Sequence, residues 1–348
     1  MKAAFLTGPR KMEVREAPSP RIQREDQVLL AVAEVGVCGS DVHTYKQGQI
    51  GGQVAQYPWI VGHECAGVVR RIGAEVRGLR VGQRVAVDPL IACGTCDQCR
   101  AGRRHTCRNQ QFLASPGQAP GALAEYLVMP AQCCLPIPDS MSFTLAALTE
   151  PFAIGLYATR LGRLSRGAVA AVLGCGPIGL SVLMAVKAAD PSARVFATDR
   201  LDYRLEYACR YGADWTGNPD RLDVVERVRQ AAPEGAECVF ECAGQQETVD
   251  QGIRLCRPGG MLLMVGIPEA DRLSLDVHLA RRAEIVIQNV RRQNQCVAPA
   301  IEMAATGRVD LMPLATHYFD LDHCQDAFET VADYRDGVVK AIVRVTGR

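Results

Sequence analysis

A chain of 348 residues exceeds what one hydrophobic core ordinarily serves, so two domains are expected. Its 48% hydrophobic and 22% charged residues are ordinary for a soluble globular protein, and a net charge of +1 gives no field to draw it to nucleic acid or an anionic membrane. No apolar run reaches the length of a bilayer span, and the opening Met1-Lys2-Ala3-Ala4-Phe5-Leu6 meets Gly8-Pro9 and charge too early for a signal peptide. The 15 cysteines include several in apolar runs (Cys238, Cys242, Cys256) and four at metal-ligand spacing, which reads as reduced thiols in a cytosolic compartment.

Residues 1–35 alternate short apolar runs with proline and charge, and Val28-Leu29-Leu30-Ala31-Val32 reads as a strand. Next comes Cys38-Gly39-Ser40-Asp41-Val42-His43, followed by Gly62-His63-Glu64, so that a thiol, imidazoles, a hydroxyl and two carboxylates fall within 27 positions. Thiolate, imidazole and carboxylate suit zinc, and an open zinc site takes three protein ligands. Cys38, His63 and Glu64 are the candidates, with Glu150 as a further or exchanging carboxylate, and Ser40 and His43 remain for proton handling. Taken singly, Cys38 reads rather as a small buried residue and His63 as a satisfied core histidine, and the case for metal rests on what else the chain carries. Short β runs spaced by Gly73, Gly78 and Gly82, among them Val85-Ala86-Val87, continue a β-rich, barrel-like pattern.

Cys93, Cys96, Cys99 and Cys107 follow at gaps of x2, x2 and x7, with Gly94 and Gly102 permitting tight turns. Four thiolates so spaced can close around one structural zinc. The iron–sulfur alternative has a shorter last gap followed by proline, whereas Arg108 follows Cys107 here. From Phe112 to Pro138 the chain is rich in proline and glycine, with a strand-like Ala124-Glu125-Tyr126-Leu127-Val128. Ser142 to Gly162 reads as helical, capped by Ser142 and broken at Pro151.

At Ala168 the pattern changes. Ala168-Val169-Ala170-Ala171-Val172-Leu173 is a buried-strand run without alternation, as in parallel sheets. Gly174-Cys175-Gly176-Pro177-Ile178-Gly179 follows and opens an apolar helix pattern. In that context GxGxxG is a dinucleotide-binding turn, its glycines serving the turn, the approach of pyrophosphate and helix–strand packing. The next strand, Arg194 to Thr198, ends at Asp199, 20 positions past Gly179, where a carboxylate would accept from the ribose 2′-hydroxyl of NAD. Arg200 and Arg204 pull toward the 2′-phosphate of NADP, and the alternative for Asp199 is a helix-terminal acid; the carboxylate favours NAD. Alternation continues through helix 201–211, strand 236–241, helix 246–256, strand Met261 to Val265 ending at Gly266, and strand 284–288. Val265 and Gly266 join the cofactor-side candidates. A doubly wound parallel sheet is expected over 152–290.

The motif Cys38 to His43 with Gly62-His63-Glu64 resembles the zinc-containing medium-chain dehydrogenases, most of all the sorbitol and polyol dehydrogenase branch, and the similarity covers nearly the whole chain. The resemblance implies an α/β protein with a GroES-like β-rich catalytic domain, in which residues 291–348 return to join residues 1–151, plus a Rossmann cofactor domain. It implies a catalytic zinc on Cys38, His63 and Glu64, with Glu150 where related alcohol dehydrogenases carry a cysteine ligand, and a structural zinc lobe. It further implies proton transfer from substrate through Ser40 and a cofactor ribose hydroxyl to His43, hydride transfer to NAD, and substrate contacts from Tyr45, Phe112 and Arg291. A homotetramer or homodimer follows from the same source. Thr44 departs from the aromatic usual there, so D-sorbitol itself is not implied. Other readings are a related dehydrogenase for an amino-alcohol or simple alcohol, a zinc-free quinone reductase, and a non-enzymatic nucleotide- or zinc-binding regulator.

Overall fold

The structure, a computed structural model, describes residues 1–346. The chain forms two compact units, one of residues 1–150 with the segment from Val297 onward, the other of residues 151–296. The second crossing falls after Cys296 and not after residue 290. Loop 291–296 stays with the second unit because buried Gln293 accepts from the Cys296 N–H at 2.7 Å and Arg160 Nη1 donates to Cys296 Sγ at 3.2 Å.

In the first unit a long strand, Gln27–Gly36, is the centre of a seven-stranded sheet. It pairs antiparallel with Glu64–Ile72, Tyr126–Pro130 and Lys340–Arg344. Val28, Leu30, Val69, Val85, Met129 and Phe328 are buried in its core, each contributing about 2 kcal/mol of burial. The register decides what the strand end holds. Gly36 lies opposite Glu64 on one side and Ile342 on the other, which brings Lys340 alongside. The chain then turns through Cys38 into helix Gly39–Gln47, which ends on Gly48 in a left-handed conformation, its N–H returning to Thr44 O.

Helix Phe143–Gly162 runs unbroken through Pro151, contrary to the break the proline suggests. Ala146, Ala147, Leu148, Phe152 and Ala153 are all buried on either side of it, and that burial outweighs the lost backbone bond. The Thr149 hydroxyl donates to Ala146 O at 2.6 Å, occupying a carbonyl close to the proline.

The second unit is an all-parallel sheet of six strands. Its order is Trp215–Gly217, Arg194–Thr198, Val169–Leu173, Ala236–Glu241, Cys256–Met264 and Val286–Asn289. Val169–Leu173 is wholly buried, as its unalternating apolar run requires. From this strand the chain winds outward first one way and then the other, leaving a topological switch point between it and Ala236–Glu241. Among the described residues no helix is long and apolar enough to cross a membrane.

Candidate metal and cofactor sites

Three segments of the first unit meet at the end of the central strand. Cys38 Sγ, a His63 ring nitrogen and a Glu64 carboxylate oxygen lie within 4.8 Å of one another, with His63 and Glu64 buried and Cys38 half-buried. Asp41, one helical turn beyond Cys38, faces the His63 ring, its oxygens 3.3 and 3.1 Å from Nδ1. A carboxylate can only accept, so Nδ1 carries the hydrogen and Nε2 is left to face a metal. Burial works against charge on this ring, but the neighbouring Asp41 and Cys38 outweigh it and hold its pKa above the usual value. One thiolate, one imidazole and one carboxylate, with a fourth position open, fit a catalytic zinc.

Glu64 is held by a partner that sequence reading did not find. Lys340 Nζ donates to both its oxygens at 2.8 Å and to Val37 O at 3.1 Å. Gly36 leaves the room: a Cβ there would overlap Glu64 Oε2. Glu150 stands outside the group of three. It is buried with Oε2 unpartnered, and its pKa is pushed up to about 7, chiefly by burial, with His63 opposing and Glu64 and Asp88 adding to the rise.

Ser40 and His43 sit half-buried on helix Gly39–Gln47, and the Ser40 hydroxyl donates to Cys38 Sγ at 3.2 Å. The Phe112 ring centroid is 5.3 Å from that of His63, tilted by 60°. Tyr45, expected to contact substrate, has its hydroxyl turned to helix Cys324–Ala332 instead. It is fully buried, its hydroxyl bonded to Gln325, Glu329 and Arg10 O, because it lies on the inner face of its helix. Arg291 is exposed at the start of loop 291–296 in the second unit.

The four lobe cysteines also converge, with Sγ–Sγ separations of 3.4 Å (Cys93–Cys107), 3.9 Å (Cys96–Cys107) and 4.0 Å (Cys93–Cys99). Gly94 and Gly102 both adopt positive φ, the turns that only glycine takes without strain. Backbone and side-chain donation from Thr95 holds the Cys93 thiol down at about 5, so it is a ready thiolate ligand. Asp97 and Arg108 close the lobe through a two-pronged pair at 2.6 and 2.9 Å. Four thiolates leave no open position, which suits a structural zinc.

In the second unit Gly174 takes φ +96 at the end of the buried strand, and a Cβ on Gly179 would overlap Gly174 O. Gly176 faces open space apart from the Arg204 guanidinium, 3.6 Å from where a Cβ would stand. Pro177 opens the Pro177–Ala189 helix, with Ile178 half-buried beside it. Asp199 Oδ2 accepts from the Cys175 N–H at 2.7 Å and Oδ1 from the Leu201 N–H at 2.9 Å, and Arg204 stands 3.7 Å away. Arg200 is drawn off to Asp220 at 2.9 Å. Val265 and Gly266 both donate backbone N–H to Glu241 O at 2.8 Å, beside the switch point.

A β-rich unit with an open three-ligand metal pocket and a four-thiolate lobe, joined in one chain to a dinucleotide-binding sheet, defines a zinc-dependent oxidoreductase. Residues 24–139 match the alcohol dehydrogenase GroES-like domain and residues 177–306 the zinc-binding dehydrogenase family. The sorbitol dehydrogenase of Bacillus subtilis (strain 168) is 36% identical over 344 residues, covering 99% of this chain and 97% of its own. A crystal structure of an Escherichia coli oxidoreductase of unknown specificity superposes with a TM-score of 0.93 at 33% identity, covering 99% of each chain. A zinc-binding dehydrogenase from Sinorhizobium meliloti 1021, bound to NADP, gives 0.90 at 29% identity, also covering 99% of each. The chain belongs to the zinc-containing medium-chain dehydrogenase family, in its polyol dehydrogenase branch.

Two residues of the site escaped the sequence reading. Asp41 could have been found three positions after Cys38, in the first turn of a short helix. Lys340 stands alone in the apolar run Val338-Val339-Lys340-Ala341-Ile342-Val343, and a lone lysine in such a run signals a buried partner.

Proposed function

We propose that the chain oxidises a secondary hydroxyl of a polyol or sugar alcohol to the ketone, with zinc and NAD. The observation that carries this reading is the convergence of Cys38, His63 and Glu64, a carboxylate standing where a second thiolate would make a softer centre. When bound, zinc supplies Lewis-acid activation of the hydroxyl and NAD supplies the hydride acceptor. The chain's own residues do the rest. Cys38, His63 and Glu64 hold the metal, and Asp41 sets the His63 tautomer. Ser40, beside Cys38, takes the hydroxyl proton, and His43, on the same face of the helix one turn on, exchanges it with solvent. Phe112, against His63, keeps water from the reacting carbon. In the second unit the Gly174–Gly179 turn cradles pyrophosphate, Asp199 accepts from the ribose, and Arg204 flanks both.

Asp199 and the engagement of Arg200 by Asp220 favour NAD; the NADP-bound relative makes this a point to measure. Cys38, Cys93, Cys96, Cys99 and Cys107 stand as thiols, as metal ligands must, which supports a reducing, cytosolic compartment. A homo-oligomer is supported by edge strand Val286–Asn289, which among the described residues pairs on one side only, and by the exposure of Val286. The test is a panel of polyols, amino-alcohols and simple alcohols with NAD and with NADP, alongside metal analysis and light scattering. Polyol oxidation with NAD and about two zincs per chain are expected. Preference for a simple alcohol or a threonine-like substrate would overturn the substrate class.

A further inference from the structure

We propose that the Tyr45 hydroxyl is a positioning lock that fixes the rotation of helix Gly39–Gln47, and with it the proton-transfer face carrying Ser40 and His43; this rests on the function proposed above. The helix has nine residues, no side-chain cap at its N-terminus, and only Val42 and Tyr45 as buried apolar side chains. So short a helix is not held by its own propensity. Two of its buried side chains tether it. Asp41 meets His63 near the start, and Tyr45, four residues on and therefore on the same face, makes the second attachment.

That second attachment is closely built. The fully buried hydroxyl accepts from Gln325 Nε2 at 2.6 Å and lies between Glu329 Oε1 and Arg10 O as acceptors, the latter at 3.2 Å. Arg10, in a left-handed conformation at φ +56, returns its own N–H to Tyr45 O at 2.7 Å and clamps Glu329 and Asp333 with its guanidinium. Gln325 Oε1 accepts from the Met12 N–H at 2.7 Å, and the Phe328 ring lies 5.2 Å from the Tyr45 ring. One hydroxyl thus joins the helix to helix Cys324–Ala332 and to the hairpin turn at Arg10. Ser40 and His43 lie three residues apart on one face, so any rotation about the Asp41 tether swings both. Without the hydroxyl the ring packing and the Arg10 N–H bond to Tyr45 O would remain, but the link to Gln325 and Glu329 on the facing helix would be lost.

The test uses zinc-loaded Tyr45→Phe, which keeps the ring and removes the hydroxyl. Its kcat should fall about 10-fold, with KM for alcohol and NAD within about 2-fold, zinc content unchanged, and amide exchange over residues 39–47 raised. Should that variant not fold, Glu329→Gln, which keeps an oxygen acceptor, should retain kcat within about 2-fold, whereas Glu329→Leu should reproduce the loss. An unchanged kcat with only a lower melting temperature would make Tyr45 a packing residue and overturn the lock. If the wild type oxidises no alcohol with either nucleotide, the functional reading fails on its own. Exchange over 39–47 then decides the lock: raised in Tyr45→Phe supports it, unchanged overturns it.

Discussion

Lys340 and Glu64, 276 positions apart, form a buried pair in which one ammonium lies 2.8 Å from both carboxylate oxygens. Burial alone would lower the affinity of Lys340 for its proton, but Glu64 and the neighbouring Cys38 and Glu150 outweigh it and raise the pKa. Breaking such a pair strands the remaining charge, at a cost of about 3–5 kcal/mol. Lys340→Met should therefore lower the melting temperature of the metal-free protein steeply. The zinc-loaded protein should lose less, because a cation still faces Glu64. Calorimetry with and without a chelator checks this, and equal losses in the two forms would count against it.

Glu64 and Glu150 should separate in the same way. Glu64→Gln is expected to weaken retention of the catalytic zinc by about 10–100-fold, while Glu150→Gln keeps the metal and lowers turnover. Zinc per chain after dialysis reads the difference. Loss of metal from Glu150→Gln with retention in Glu64→Gln would reverse the two roles.

In the lobe, Cys96→Ser should release about one zinc per chain and lower thermal stability at the same time. Unaltered zinc stoichiometry would remove the lobe from the list of metal sites.

Asp199→Ser should shift the ratio of NAD to NADP efficiency toward NADP by about 10-fold, or about 1.4 kcal/mol. Because Asp220 competes for Arg200, Asp199→Ser with Asp220→Asn should shift it further than Asp199→Ser alone. Steady-state kcat/KM with each nucleotide decides the matter, and an unmoved ratio leaves Asp199 as a turn-stabilising acid that serves Cys175 and Leu201.

Local chemistry was readable from the chain. The unalternating run Val169–Leu173 sits between neighbouring parallel strands, and its burial on both sides is what erases alternation. The glycines at 94, 102 and 174 bend where their spacing suggested, since each needs a backbone that other residues resist. Cys38, His63 and Glu64 come together because the ligands lie at the adjacent ends of two paired strands. What could not be read is set by sheet register and by burial. Lys340 reaches Glu64 only because the C-terminal strand pairs with Gln27–Gly36 at one particular offset. Tyr45 turns inward, although a resemblance places an aromatic of its kind beside substrate, because position 45 shares a helical face with Asp41. Pro151 stays helical because packing outweighs local propensity.

Phe112 leans on His63 with one side and belongs, with Leu90, Ala92 and Cys107, to the small apolar cluster beneath the lobe cysteines. The two metal centres therefore share a wall. A ligand of each touches the same small cluster, so any coupling between filling one and filling the other runs through this ring and, by reciprocity, equally both ways. Zinc uptake at the two centres is then expected to be coupled through the Phe112 ring, which titrating each site with the other filled and with it empty would read.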